Sequence, residues 1–295
     1  MFNRQVEYNP GPNDWKRRDA VPSYDSGPIR NHPVVSHDKW LEARVELLAR
    51  EKEFSRARDE LNRQRRELPW ERVEKAYQFD APNGRESLGD LFEGRRQLVM
   101  YHFMFAPEWN EGCKHCSFWA DSFDAVGVHP EHLEHRDTTF VVISRAPLAK
   151  IEAFKKRMGW SFKWVSSYGS DFNFDYFVSF RPEEIKSKSG FYNYRKGNVD
   201  PEREGASAFY KDENGAIFHT YSTFARGIDL LNTTYNMLDL TAKGRDEEGG
   251  PQAWVRYHDQ YDEGGRKTAP SAVRSEKAEV PSPTPPTADP SLRSG

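Results

Sequence analysis

The sequence predicts an α/β fold, a central mixed sheet flanked by helices, and three observations predict it. Two nearly continuous apolar runs, residues 98–105 and 138–144, read as strands buried on both faces. Helical patterns follow both runs, and a short third strand follows at 162–167, an order that argues for parallel β–α–β units. Asn214-Gly215 sits between two alternating runs across 206–223 and favours a tight hairpin, which adds antiparallel strands.

Composition bounds the rest. The 295 residues are 36% apolar and 30% charged, with 8 Trp, 13 Tyr and 19 Phe, enough apolar material for a core. A formal net charge of −3 exerts no global pull toward nucleic acid or an anionic membrane. The first 18 residues carry no apolar run after their charges, so no secretory signal is expected. No stretch approaches 18 apolar residues, so no membrane span is expected, and the chain reads as a soluble cytoplasmic protein.

Four stretches follow in order. Residues 1–36 are rich in Pro, Asn, Asp and Gly without periodicity and read as an irregular arm. Residues 37–70 hold one long helix over 37–67, with Ser36 as N-cap and Pro69 ending it. From 38 to 67, 17 of 30 residues are charged, and Trp40, Leu41, Val45, Leu48, Phe54 and Leu61 form a thin apolar stripe. Such a helix is expected to pack on the domain by one edge. A dimerisation helix is the sharper reading, and the stripe is too short to prefer it, which leaves a homodimer open. Residues 71–262 form the main domain. Within it lie a turn at Pro82-Asn83-Gly84, a helix over 113–127, a helix over 147–158 with Pro147 in its first turn and Gly159 after its end, and a closing helix over 227–240. Residues 263–295 hold six of the 19 prolines among Ser, Thr and charges, and read as a disordered tail.

Only two cysteines are present, Cys113 and Cys116, in the run W-N-E-G-C-K-H-C-S-F-W. A disulfide-stapled secreted domain would carry more of them, spread along the chain. Here the pair follows a buried strand and opens a helix. A thiolate at a helix start is stabilised by free backbone N–H groups, which lowers its pKa. Cys113 is therefore the expected nucleophile, with Cys116 placed one turn on to resolve a mixed disulfide. Lys114 and a protonated His115 would favour the thiolate. Carboxyl ends of parallel strands share one sheet edge, which brings Arg145 toward Cys113; the competing reading pairs Arg145 with Asp121 or Asp171. Trp109, Trp119, Trp160 and Trp164 either line an apolar binding surface or belong to the core, the commoner fate of single aromatics. A zinc site needs about four ligands, and one C-x-x-C supplies two. His129, His132 and His135 are spaced suggestively, but Pro130 and charged neighbours suit an exposed turn.

Longer motifs resemble a family. EGCKHCSFWADSFD, FVVISRAPLAKIEAFKKRMGW, SSYGSDFNFD and FHTYSTFARGIDLLNTTYNMLDLTAKGRDE, within a stretch from about Val73 to Tyr261, resemble a thioredoxin-like family labelled predicted dithiol–disulfide oxidoreductase. The resemblance implies a thioredoxin-like fold of the peroxiredoxin-like variant, with Cys113 and Cys116 as the redox pair. SLGDLFEGRRQLVMYHF looks like the opening strand of peroxiredoxins, and W-N-E-G-C-K-H-C looks like the thioredoxin active-site loop. Two departures stand out. The segment Glu204-Gly205-Ala206-Ser207 lacks the proline that thioredoxins place opposite their cysteines, and the Thr-x-x-Cys motif of typical peroxiredoxins is missing.

The combined expectation is an enzyme, a thiol–disulfide oxidoreductase exchanging disulfides with a protein or small thiol through Cys113 and Cys116. Lys114, His115, Arg145 and Trp109 are its supporting residues. It calls for no cofactor and no metal, and for a thiol or disulfide substrate and a reductant as partners. The alternatives are a thiol peroxidase using the same pair, or a non-enzymatic module that binds zinc or a partner.

Overall fold

The computed structural model of the chain describes residues 32–124, 130–247 and 249–261. The arm expected at 1–36 lies outside them except for residues 32–36, and the tail expected at 263–295 lies outside them entirely, as does His129.

Helix α1, His37–Glu67, starts at Ser36, whose Oγ accepts the Lys39 N–H at 3.5 Å. None of its residues is buried. The expected one-edge packing is therefore absent: Trp40, Val45 and Phe54 stand exposed, and Arg65 near the helix end lies over the Tyr221 ring. Arg63 pairs along the helix with Glu60 at i,i+3 and with Glu67 at i,i+4.

After α1 come β1 (Glu71–Arg72), β2 (Gln78–Ala81), β3 (Gly84–Ser87) and β4 (Gln97–His102). The elements α2 (Lys114–Ala120), α3 (Pro130–Glu134), β5 (Thr138–Ser144), α4 (Leu148–Met158) and β6 (Trp164–Ser166) follow. Next are α5 (Phe172–Asp175), α6 (Pro182–Ser187), β7 (Gly190–Tyr192) and β8 (Arg195–Gly197), and last β9 (Gly205–Lys211), β10 (Ile217–Phe224) and α7 (Thr233–Leu238).

Eight strands form one mixed sheet in the order β1-β10-β9-β4-β5-β6-β2-β3, and β7 and β8 pair separately. β4, β5 and β6 are mutually parallel, whereas β9 runs antiparallel to β4 and pairs antiparallel with β10. The inner order β10-β9-β4-β5, with helices after β4, β5 and β10, is the thioredoxin-like arrangement.

β4 lies between β5 and β9, and its alternation divides the core. Leu98 and Met100 face a cluster with Phe79, Leu91, Val141, Phe172 and Phe209. Tyr101 and Phe103 face a second cluster that holds Cys116, Trp119, Phe154 and Trp164. Trp119, Trp160 and Trp164 are all buried, so the core reading of these tryptophans holds.

Two expected helices come out shorter. The helix expected over 113–127 ends at Ala120, where tertiary hydrogen bonds compete with its continuation. Asp121 accepts from the Trp160 ring N–H, Asp124 accepts from the Ser161 N–H, and Ser122 Oγ accepts from the Thr233 N–H. The closing helix breaks at Asn232, which follows a 3-10 turn over Ala225–Leu231 and caps α7 by accepting the Tyr235 N–H at 2.9 Å. By contrast α4 ends on Gly159 at φ +69°, a left-handed position that glycine adopts without strain.

Trp164 is fully buried among Phe103, Phe154 and Trp160. Trp164→Ala is expected to cost about 3–5 kcal/mol in urea unfolding. Phe54→Ala on exposed α1 is expected to change stability by less than about 0.5 kcal/mol.

Candidate functional site

The site forms where β4 ends. Beyond His102 the backbone of Met104 meets both cysteines. Its carbonyl accepts the Cys113 N–H at 3.0 Å, and its N–H donates to Cys116 Sγ at 3.4 Å. The loop between them is clamped from α4 and from the chain's later turns. Lys150 Nζ donates to the carbonyls of Pro107 and Trp109 at 2.7 and 2.9 Å. Tyr257 donates to the Gly112 carbonyl at 2.6 Å, and Arg157 pairs with Glu111 and Asp259. A Cβ on Gly112 would lie 2.7 Å from Phe103 and 2.9 Å from Phe154, so only glycine lets the loop pass this close to the core.

Cys113 is the N-cap of α2, and its carbonyl accepts both the N–H and the hydroxyl of Ser117 at 2.9 Å. Both cysteines are free; Cys113 is partly exposed and Cys116 is buried. Their thiols are shifted in opposite directions. A hydrogen bond from the Cys116 thiol holds Cys113 well below the usual cysteine value, helped by His115 and by the Cys116 backbone N–H turned toward the sulfur. Burial wins only at Cys116, whose thiol is pushed well above its usual value by desolvation and by the neighbouring Cys113 charge. Among the expected supporting residues His115 is in place. Lys114 is half-exposed at the first position of α2, and the groups acting most strongly on Cys113 are Cys116 and His115 rather than Lys114. Trp109 packs against the aromatic cluster beneath the loop.

Arg145 corrects both of its expectations. It sits at the end of β5, but its guanidinium lies 2.5 Å from the carboxylate of buried Glu202 and 4.4 Å from the Phe174 ring centre. Asp121 is taken by His258 and Trp160, and Asp171 by Lys75 and Arg181. The pull comes from Glu202, a buried carboxylate that also accepts the Ser179 hydroxyl at 2.8 Å. Burial still pushes its pKa up to about 7 against the attraction of Arg145.

Two residues beside Cys116 escaped the sequence reading. The buried Tyr101 hydroxyl has no hydrogen-bond partner among the described residues, and the neighbouring Cys116 acts on it electrostatically. The carboxylate of Glu204, one residue ahead of β9, acts electrostatically on both Tyr101 and Cys116. Glu204 stands in the segment where a thioredoxin would carry proline. The missing proline is visible in the sequence, whereas the nearness of this charge to Cys116 depends on the fold.

The match to known families covers residues 29–261. The chain belongs to the family described as bacterial protein of unknown function (DUF899). No curated protein matches this DUF899 chain in sequence. Solved structures similar to it include peroxiredoxin Q of Xanthomonas campestris, at 12% identity and a TM-score of 0.36 over 56% of this chain and 91% of that one. A cysteine-to-serine mutant of PrxQ from Xylella fastidiosa is similar at 11% and 0.32 over 55% and 89%. A putative thiol:disulfide interchange protein DsbE of Chlorobium tepidum is similar at 10% and 0.33 over 60% and 99%. Among the described residues of the DUF899 chain, no three His, Cys, Asp or Glu side chains converge as metal ligands, and no helix is long and apolar enough to cross a membrane.

Alkylation of the folded protein against pH is expected to titrate Cys113 below the ordinary thiol range, with Cys116 unreactive until unfolding. His115→Ala is expected to move the Cys113 midpoint upward. Separately, folded Glu202 holds its proton to a higher pH than the unfolded carboxyl does. Stability is therefore expected to fall as pH rises from about 4.5 to about 7. Glu202→Gln is expected to flatten that decline in urea titrations run across the same window.

Proposed function

We propose that the chain is a thiol–disulfide oxidoreductase in which Cys113 attacks and Cys116 resolves. One observation carries this reading: adjacent thiols at the start of α2, with the outer one held ionisable and the inner one held protonated. In the first step the Cys113 thiolate forms a bond to one sulfur of a substrate disulfide, and the other sulfur leaves as a thiolate. Cys116 then gives up its proton and attacks Cys113 Sγ. The Cys113–Cys116 disulfide forms, and the second substrate sulfur leaves and takes a proton. Two electrons pass to the substrate, and a reductant returns them to the pair. Partial exposure of Cys113 gives a disulfide access, and burial of Cys116 keeps the resolving thiol from outside attack. His115 favours the attacking thiolate.

An ionised Cys113 stabilises the reduced pair relative to the disulfide. The reduction potential is therefore expected to lie above the roughly −270 mV of thioredoxin, read by equilibration in glutathione buffers. Cys116→Ser, supplied with cell extract under non-reducing conditions, is expected to accumulate mixed disulfides that vanish in the Cys113→Ser, Cys116→Ser double variant. Absence of Cys113-dependent adducts would overturn the exchange mechanism.

A further inference from the structure

On the sheet face away from the cysteines, a line of polar side chains crosses the strands. His219 on β10 faces the same core as Phe209, its partner in the register, whereas Cys116 packs with Tyr101 on the other side. His219 Nε2 lies 2.7 Å from Ser222 Oγ. Three residues apart on a regular strand, these two would point to opposite faces. The ladder shifts register between His219 and Tyr221, leaving Thr220 without an opposite number, and this bulge turns both side chains to one face. Glu71 on β1 is the direct cross-strand partner of His219, with its carboxylate 3.6 Å from His219 Nδ1. Ser222, His219 and Glu71 thus stand in the order nucleophile, base and orienting carboxylate, a constellation recognised by geometry and not by position in the chain. The Glu71 contact is longer than a hydrogen bond, as such contacts often are before a ligand is bound.

The line continues inward. Ser207 Oγ lies 2.8 Å from Ser222 Oγ and 2.8 Å from Nε2 of buried His102. Placing the proton of His219 on Nδ1, toward Glu71, leaves Nε2 to accept from Ser222; Ser207 then donates to Ser222, and His102 donates to Ser207. His102 Nδ1 is left as an acceptor without a partner. Burial holds His102 down to about 3 and His219 below the ordinary histidine value, so both rings are neutral at pH 7 and His219 is free to take a proton. Glu71, His219 and the buried Ser222 line a cleft of about 400 Å³, whose walls also include Leu68, Pro69, Tyr194 and Tyr221. That volume falls in the range of small-ligand sites.

We propose that Ser222, His219 and Glu71 form a second active site, an acyl-transfer site that hydrolyses small carboxylic esters in the cleft beside the α1 end. Ser222 Oγ bonds to the ester carbonyl carbon as its proton passes to His219 Nε2. The carbon–oxygen bond to the alcohol breaks, and the alcohol leaves with that proton, which leaves Ser222 acylated. Water then adds to the acyl carbon while His219 takes its proton. The carboxylic acid departs and the proton returns to Ser222 Oγ. Glu71 holds the His219 ring in register and stabilises its charged form. The walls of the cleft suit a short apolar or aromatic acyl group.

The test uses the full-length protein with a fluorophosphonate probe, with peptide masses locating the adduct and p-nitrophenyl acetate reporting turnover. A single adduct on Ser222 is expected, with labelling and turnover reduced about 100-fold or more in His219→Gln and less in Glu71→Gln. Labelling of the unaltered protein decides the matter even where a variant fails to fold. No adduct on Ser222, an adduct elsewhere, or labelling indifferent to a folded His219→Gln overturns the proposal.

Discussion

The backbone of Met104 holds the cysteine site together. Just past the last pairing of β4, it accepts from Cys113 and donates to Cys116 Sγ, so both cysteines are referenced to a central strand of the sheet. β4 is paired on both edges and buried on both faces, and it cannot shift without breaking two ladders. The loop carrying the cysteines inherits that rigidity. The clamps from Lys150, Tyr257 and Arg157 restrict it further from the α4 side. Loops carry chemistry best when a rigid scaffold fixes their ends, and here the scaffold is a central strand.

The division of the two thiols follows from that placement. Strand β4 sends Tyr101 and Phe103 to the face where α2 lands, so Cys116 on the inner side of α2 enters an aromatic core. There desolvation acts on it without compensation, beyond the single Met104 N–H. Cys113, at the helix cap, keeps contact with water and with the polar groups around it. The asymmetry of the pair is thus a consequence of which side of a short helix each residue occupies. Glu204 and Tyr101 complete the surroundings of the buried sulfur.

The other face of the sheet follows the same logic with different chemistry. The register of β9 against β10 aligns Ser207 with Ser222, and one bulge brings His219 alongside. Polar side chains buried this way carry a cost unless each finds a partner, and the His102–Ser207–Ser222–His219 line pairs the Nε2 atom of both rings and leaves His102 Nδ1 without a partner. Arg145 and Glu202 behave alike at the strand ends: a buried carboxylate claims the nearest guanidinium before any thiolate can.

The sequence by itself determined the strands with long apolar runs, the helix caps and the cysteine pair at a helix start. β5 spans the expected residues 138–144, α1 the expected 37–67, and α4 ends on the expected glycine, because period, caps and turn residues act locally. Only the tertiary structure decided the partners of Arg145, the early end of α2, the bareness of α1, and the meeting of Glu71 with His219 and Ser222. Those outcomes depend on strand register, on a single bulge and on which buried charge lies nearest. Such contacts join residues far apart in the chain, beyond the reach of any local pattern.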